Sequence, residues 1–215
     1  MTEDRIEGFI RSLDSANSDF LNALEEKALK EEIPVIRPAV QNLLKLLLSM
    51  KRPERILEVG AAVGFSAIFM TEYSDADIVT IEKYEPRIAL LRDNIEASGR
   101  KDRIKVLEGD AGDILKTLVG KKEHFDFVFM DAAKAQYINY LPAVLKLLEN
   151  GGLLVSDNVL QDGDVIESRF IIKRRNRTIH ARMREYLYAL THSDELVTSI
   201  LPIADGITVS VKNVK

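Results

Sequence analysis

The sequence contains no cysteine, so disulfides, thiolate metal sites and cysteine nucleophiles are all excluded. Long apolar runs are also missing. No stretch approaches the roughly 18 consecutive apolar residues of a membrane-spanning helix, so we expect no membrane partner. The opening residues, MTEDRIEGFIRSLD, are charged and lack the apolar core of a signal peptide. Together these absences predict a cytoplasmic protein.

Internal repeats, low-complexity tracts and Pro/Gly/Ser-rich linkers are absent as well, which favours a single domain over residues 1–215. Hydrophobic residues make up 46% of the chain and charged residues 30%, which is ordinary for a globular protein with a proper core. The net charge of −4 comes from 34 acidic and 30 basic residues. Net charge alone therefore predicts no polyanion partner, and any such partner must be argued from local clustering.

Two periodicities divide the chain. Up to about residue 50 the apolar residues, such as Ile6, Phe9, Ile10 and Leu13, follow helical spacing, which predicts a helical cap over residues 1–50. From Arg55 onwards, short apolar runs alternate with helical stretches, as in parallel strands that are buried on both faces. The predicted strands are residues 55–60, 77–82, 103–110, 125–131 and 151–158, and the predicted helices between and after them are residues 64–73, 86–98, 111–118, 136–148 and 177–192.

Two further strand patterns end the chain, at residues 196–203 and 206–212, and Asp205-Gly206 lies between them. This dipeptide is a hairpin signal, so the last two strands should be antiparallel. The predicted fold class is α/β, a doubly wound sheet that is closed by an antiparallel hairpin.

The first predicted strand runs into glycines and then a helix, in ILEVGAAVGFSA (residues 56–67). Such a loop lets backbone N–H groups approach a ligand at the carboxyl end of the sheet, although a simple tight turn has the same pattern. The spacing of Gly60 and Gly64 differs from the G-x-G-x-x-G of pyrophosphate binders, which makes NAD the weaker candidate.

Acidic residues near this loop indicate the kind of ligand. Glu58 disfavours a phosphate and suits a positively charged ligand, and Glu82, at the end of the second strand, can accept hydrogen bonds from ribose hydroxyls. S-adenosylmethionine (SAM) has a sulfonium, an ammonium and a ribose. We therefore predict SAM as the cofactor, with Asp110 and Ala111 flanking its adenine.

A second group of polar residues follows the fourth and fifth strands. Asp131 ends one strand, and Asp157 and Asn158 end the next; neighbouring ends of parallel strands bring such residues together. Two carboxylates and an amide oxygen suit a hard cation such as Mg²⁺, whereas Asp157-Asn158 alone is also typical of a turn. The charged form of Lys134 is disfavoured beside a divalent cation, which makes Lys134 a candidate general base.

The chain resembles the cation-dependent SAM O-methyltransferases, the group that contains catechol and caffeoyl-CoA O-methyltransferases. The matching pieces occur in the family's order: LEVGAAVGFSA (57–67), Glu82, GDA (109–111), DAAK (131–134) and DN (157–158). The resemblance implies a Rossmann-like, class I methyltransferase fold, with a seven-stranded, mostly parallel sheet whose last strand is antiparallel. It also implies that family members often pair, so we expect a homodimer.

The resemblance further implies roles for individual residues. Asp131, Asp157 and Asn158 are expected to hold Mg²⁺, and Lys134 is expected to assist deprotonation of a substrate hydroxyl. The expected cofactor-binding residues are Val35, Glu58, Gly60, Ser66, Glu82, Asp110, Ala111 and Asp131.

Seven Lys or Arg residues and no acidic residue lie between Ser168 and Arg184, around KRRNRT (173–178). Most charge runs are solvated helix faces, but clustering without acidic neighbours also suits phosphates as the counter-charge. The position of this segment resembles the bacterial tRNA 5-hydroxyuridine methyltransferases, which make 5-methoxyuridine at the wobble position. We therefore expect Lys173, Arg174, Arg175 and Arg177 to bind RNA.

Two other functions remain open. The first alternative is a small-molecule methyltransferase for catechols or hydroxycinnamoyl compounds, whose basic patch would meet a CoA phosphate. The second is a SAM-binding module without catalysis, which the intact Asp131, Lys134, Asp157 and Asn158 disfavour.

Overall fold

The structure, a computed structural model, describes residues 8–10, 12–14 and 16–213, with the exception of the Asp162 side chain. Of the first predicted helix, Ile6 lies outside these residues, and residues 8–10 are helical. Two longer helices follow, α1 (Asp19–Lys30) and α2 (Pro38–Lys51). Ser18 caps α1 by accepting a hydrogen bond from the backbone N–H of Leu21, and Pro38 occupies the first turn of α2, where its missing N–H is not needed.

The rest of the chain alternates strands and helices, and every predicted strand is present. The strands are β1 (Arg55–Val59), β2 (Asp77–Glu82), β3 (Ile104–Glu108), β4 (Phe125–Met130), β5 (Leu148–Ser156), β6 (Leu196–Leu201) and β7 (Ile207–Lys212). The helices are α3 (Phe65–Glu72), α4 (Glu85–Ala97), α5 (Ala111–Gly120), α6 (Tyr137–Leu147) and α7 (Arg177–Thr191), and short 3₁₀ helices form at Lys134–Gln136, Gln161–Ile166 and Arg174–Asn176.

The strands form one seven-stranded sheet in the order β3-β2-β1-β4-β5-β7-β6. Only β7 runs against its neighbours, pairing antiparallel with both β5 and β6. The α/β fold class and the antiparallel last strand are thus confirmed. The largest boundary difference is in β5, which begins at Leu148 and not at residue 151, because Phe125 of β4 pairs with Leu148 before a register shift.

Helices cover both faces of the sheet, so the central strands, such as β1 and β4, are buried on two sides. Neighbouring β4 residues Phe127 and Val128 belong to opposite apolar clusters, one packed against α1 to α4 and the other against α5 to α7. This explains the near-continuous hydrophobicity of the strands. No helix in the described part of the chain has the length and apolar character needed to cross a membrane.

The order of the strands reverses between β1 and β4, which are neighbours in the sheet although β2 and β3 separate them in sequence. The connections to either side of this point leave in opposite directions, so a crevice opens at the carboxyl ends of β1 and β4. Open α/β sheets bind ligands at this position.

Candidate active site

A cavity of about 490 Å³ opens at the carboxyl ends of β1, β2, β4 and β5. Its lining includes most of the residues predicted from the sequence, namely Val35, Gly60, Ser66, Glu82, Ala111, Asp131, Lys134, Asp157 and Asn158. Sequence positions more than 100 residues apart therefore meet in one cavity, as expected when the ends of parallel strands lie at the same edge of a sheet.

Gly60 allows the ends of β1 and β4 to approach each other at the base of this cavity. Its φ is +102°, and a Cβ built on it would lie 2.0 Å from the backbone oxygen of Asp131. The backbone N–H of Asp131 in turn donates to the carbonyl of Val59 at 3.0 Å. Only glycine fits this position, because both the dihedral angle and the backbone contact exclude a side chain.

Glu82 orders the loop after β1. Its carboxylate accepts hydrogen bonds of 2.8 Å from the backbone N–H groups of Ala62, Lys83 and Tyr84. Ala62 has a positive φ of 47°, so the loop is held in a conformation that an L-residue seldom adopts. Glu82 lines the cavity, and a carboxylate has lone pairs for further donors such as hydroxyls.

Glu58 lies behind the cavity wall and not on its surface. It is completely buried in β1, and its two oxygens accept hydrogen bonds from the hydroxyls of Ser66 and Thr80. Burial raises the pKa of the Glu58 carboxyl to about 7. Glu58 therefore orients Ser66, which does line the cavity, from beneath.

Asp110 also lies outside the cavity lining. Its side chain caps α5 by accepting from the backbone N–H of Gly112 at 2.9 Å, and it faces a neighbouring cleft of about 250 Å³. Lys83 approaches its other carboxylate oxygen to 3.5 Å. Tyr140 lines both the cavity and the cleft, so the two spaces share a wall.

Lys134 connects the two strand ends that carry the predicted metal ligands. Its ammonium donates to Asp131 Oδ1 and to Asn158 Oδ1, both at 2.7 Å. It also lies 3.2 Å from the hydroxyl of Tyr137. The side chain is one-fifth exposed, so the ammonium is largely withdrawn from solvent.

Asp157 and Asn158 form the other half of the site. Asp157 is 3% exposed, and burial, with the Asp131 carboxylate as the second cause, raises its pKa to about 7. Asn158 has a φ of +56°, which its short polar side chain tolerates. Its amide nitrogen donates to Asp205 Oδ2 at 3.4 Å, and Arg37 pairs with the same oxygen at 2.7 Å. Asp205 thus orients the amide oxygen of Asn158 towards Lys134.

These donors fit a hard cation. In the residues that the structure describes, no group of three or more His, Cys, Asp or Glu side chains is arranged to hold a metal, so a site here must include the Asn158 amide. Two carboxylates and one amide oxygen are the donor type that Mg²⁺, Mn²⁺ and Ca²⁺ prefer. The Lys134 ammonium lies between two of these donors, which is consistent with a position that attracts positive charge.

Comparison with known proteins identifies the family. A sequence family described as O-methyltransferase matches residues 11–213. The chain belongs to the O-methyltransferase family. A catechol O-methyltransferase of Niastella koreensis is 31% identical over 170 residues, 76% of each chain. Caffeoyl-CoA O-methyltransferase 1 of Eucalyptus globulus is also 31% identical over 170 residues, covering 77% of this chain and 69% of that one.

Solved structures agree with this assignment and with the cofactor. An O-methyltransferase from Bacillus cereus, in complex with S-adenosylhomocysteine (SAH), has a TM-score of 0.85 and 25% identity, and the match covers 97% of both chains. A methyltransferase of Podospora anserina, also bound to SAH, has a TM-score of 0.87 and 26% identity over 98% of this chain and 95% of that one. The protein is thus a SAM-dependent O-methyltransferase, as predicted.

Three residues of the methyltransferase site were not predicted from the sequence. Tyr137 is fully buried, and its hydroxyl contacts the carbonyls of Met130 and Asp157, each at 3.1 Å. Asp205 and Arg37 form the ion pair that supports Asn158. The sequence pattern Asp205-Gly206 predicts only a turn, and it gives no indication that the Asp205 carboxylate also contacts Asn158 and Arg37. Tyr137 could have been recognised from the sequence, because it lies three residues after Lys134 and so about one helical turn from it.

The basic segment of the methyltransferase divides into two groups. Arg177, Arg182 and Arg184 donate to the backbone carbonyls of Ile172, Ala135 and Val165, respectively. The other group is exposed and has no acidic partner within 4.0 Å among the side chains that the structure describes, which do not include Asp162: Arg169, Lys173, Arg174 and Arg175. We refer to these four residues as the basic surface. Of the predicted RNA-binding residues, Arg177 is half-buried and lies outside it.

Proposed function

We propose that this enzyme methylates the 5-hydroxyl of 5-hydroxyuridine at the tRNA wobble position, forming 5-methoxyuridine, with SAM as methyl donor and Mg²⁺ as cation. The observation that carries the proposal is the basic surface, which has no acidic partner among the described side chains and begins at Arg169, a short distance along the chain from Asp157 and Asn158. A site for a polar acceptor and a surface for phosphates thus lie on one continuous piece of chain.

The acceptor chemistry suits the site. In 5-hydroxyuridine the 5-hydroxyl lies beside the 4-carbonyl, so two adjacent oxygens are available for chelation, as they are in a catechol. Asp131, Asp157 and Asn158 would hold the cation. When bound, the cation would polarise the acceptor hydroxyl and orient it, and SAM would supply the methyl group.

The chain's own residues would then do the following. Lys134, at the cavity wall, would take the hydroxyl proton at Nζ. Glu82 binds ribose hydroxyls of the cofactor, and Gly60 and Ala61 bring backbone close to it. Asp205 keeps the Asn158 amide oxygen turned inward. With the cofactor held at this cavity, its methyl group would pass from sulfur to the acceptor oxygen, and SAH would be the product.

The basic surface supports an RNA acceptor. Phosphates would supply the counter-charge that Lys173, Arg174 and Arg175 lack among the described side chains. Phe170 lies in the same segment and is 89% exposed. An exposed aromatic ring among cations is typical of surfaces that bind single-stranded RNA, because unpaired bases stack on such rings. The anticodon loop presents such bases without the melting of a duplex.

A second candidate is a small phenol, because the relatives named above are a catechol and a caffeoyl-CoA O-methyltransferase. Such an acceptor would use the same chelating oxygens, and the basic surface would then bind the phosphates of CoA. The two candidates differ in what the basic surface binds and share everything at the methyl-transfer site.

We also propose that the enzyme is a homodimer. Several apolar residues on the outer faces of α1 and α2 are exposed, including Leu29 (61%), Leu46 (56%) and Met50 (73%). A partner copy would cover them, and sedimentation equilibrium would give twice the mass of 24.2 kDa. A monomer at micromolar concentration would contradict this.

The decisive experiment supplies the protein, SAM and MgCl₂ with tRNA that contains 5-hydroxyuridine. After nuclease digestion, mass spectrometry should detect 5-methoxyuridine. The matched control is the same tRNA with unmodified uridine at the wobble position, which lacks the acceptor hydroxyl and should gain no methyl group. Parallel reactions contain a catechol or a hydroxycinnamoyl-CoA. Methylation confined to these small phenols would refute the tRNA assignment and favour the second candidate.

A further inference from the structure

Arg182 differs from the other basic residues of its segment in the acceptor that it contacts. Arg177 and Arg184 donate to carbonyls between residues 165 and 172, close to their own position in the chain. The guanidinium of Arg182 instead donates at 2.9 Å to the carbonyl of Ala135, 47 residues earlier. Ala135 is the residue immediately after Lys134.

The segment that carries Lys134 has little internal support. It is one 3₁₀ turn, Lys134–Gln136, between the end of β4 and the start of α6. Lysine has a long flexible side chain, so the position of Nζ depends on where the backbone of this turn is held. A contact from outside the turn would therefore help to place Nζ between Asp131 and Asn158.

Helix α7 supplies that contact at two points. Arg182 holds the Ala135 carbonyl, and Tyr186, one helical turn later on the same face, packs edge-on against Tyr137 with ring centroids 5.4 Å apart. The Tyr186 hydroxyl is hydrogen-bonded to Ser156 at 2.6 Å, which ties the same helix to the end of β5. One helix face thus supports both the Lys134 turn and the strand that leads to Asp157.

We propose that Arg182 is a positioning residue for methyl transfer, and that it holds the turn that places Lys134. The charge of Arg182 is thus used inside the protein and not for RNA. The proposal rests on the proposed participation of Lys134, held between Asp131 and Asn158, in methyl transfer. It is independent of whether the acceptor is tRNA or a small phenol.

The test compares Arg182→Met, which keeps the length of the side chain but removes its donors, with Arg182→Lys, which keeps one charged donor. Arg184→Met is the matched control, because Arg184 lies on the same helix and also donates to a backbone carbonyl at 2.9 Å. Kinetics are measured with whichever acceptor the wild-type enzyme methylates. A displaced catalytic group typically lowers turnover by about 100-fold per ångström.

We expect Arg182→Met to lower kcat by about 10-fold to 100-fold, with the KM values for SAM and acceptor within about twofold of wild type. Arg182→Lys should recover most of the lost kcat, and Arg184→Met should retain wild-type kcat. Hydrogen exchange without ligands should be faster at residues 132–136 in Arg182→Met alone.

Unchanged kcat in Arg182→Met would overturn the proposal, and so would a loss that Arg182→Lys does not recover. A loss of similar size in Arg184→Met would show a general effect of α7 on stability and would also overturn it. Lys134→Met separates this proposal from the mechanism on which it rests. If Lys134→Met retains full turnover, the role of Lys134 is wrong, whatever the outcome for Arg182.

Discussion

Replacing Gly60 by alanine tests how the close approach of β1 and β4 builds the site. The substitution adds one methyl group where the carboxyl ends of the two strands meet. That methyl carbon would lie 2.0 Å from the carbonyl oxygen of Asp131 and 2.8 Å from its carbonyl carbon. Both atoms belong to the backbone, so no side-chain rotation can relieve the overlap.

The cost has two parts. A φ of +102° is a conformation that alanine adopts only with strain, which costs about 1–3 kcal/mol. Relieving the overlap requires the strand ends to separate by roughly 1 Å, and overpacking of this kind typically costs about 1–3 kcal/mol more. We therefore expect Gly60→Ala to lower the free energy of unfolding by about 2–6 kcal/mol. It should also displace Asp131 from Lys134 and Asn158.

The measurements are urea unfolding and the affinity for SAH by calorimetry. Gly120→Ala is the matched control. It also adds a methyl group to a glycine, at the end of α5, where no atom lies within 4 Å of the new Cβ and φ is not positive. It should be neutral or stabilising by up to about 1 kcal/mol. If Gly60→Ala has the same unfolding free energy and SAH affinity as Gly120→Ala, the close approach at Gly60 does not build the site.

Three further predictions concern charge. Because the pKa of Glu58 rises from its ordinary 4.5 to about 7, the folded state keeps a proton that the unfolded state releases between these pH values. This contribution lowers wild-type stability by about 3 kcal/mol as pH rises from 4.5 to 7. The unfolding free energy of Glu58→Gln should not show this decrease with pH, because glutamine does not titrate. If the unfolding free energies of the two proteins change with pH in parallel, the raised pKa of Glu58 is wrong. Asp157→Asn, or EDTA added to the wild type, should lower turnover by about 100-fold or more while SAH affinity stays within about threefold; full turnover in EDTA would exclude the cation. Serine at both Arg174 and Arg175 should weaken tRNA binding by about tenfold and reduce its salt dependence, with turnover of a small phenol unchanged. The matched control changes Lys121 and Lys122 to serine; both are exposed and lie before the amino end of β4, away from the carboxyl ends that form the cavity. This control should leave tRNA binding unchanged. Equal losses of binding in the two double variants would show that the effect is nonspecific.

The main features of the fold were predictable because they follow from local patterns. A parallel strand that is buried on both faces must be apolar at nearly every position, so β1, β2, β4 and β5 stand out from the helices around them. The antiparallel β7 follows from the turn chemistry of Asp205-Gly206. The exact strand ends were not predictable, because the register shift in β4 allows β5 to begin at Leu148.

The convergence of Asp131, Asp157 and Asn158 was predicted from the positions of these residues at strand ends. The residues that hold these three side chains in place were not predicted. Tyr137 and Asp205 act through hydrogen bonds to groups whose distance in space is unrelated to their separation in sequence. Glu58 was expected beside the ligand, but it lies in the interior of β1, where its neighbours Leu57 and Val59 are also fully buried.

The sequence by itself determined the order of strands and helices, the family and the chemistry of the donor groups, because these depend on residue type and local spacing. Only the tertiary structure decided which charges are available to a partner. Seven basic residues look equivalent in the sequence, yet three of them donate to backbone carbonyls and the other four are exposed with no acidic partner among the described side chains. A charged side chain near the surface either satisfies buried carbonyls or remains in water, and this depends on the carbonyls that the fold brings within reach.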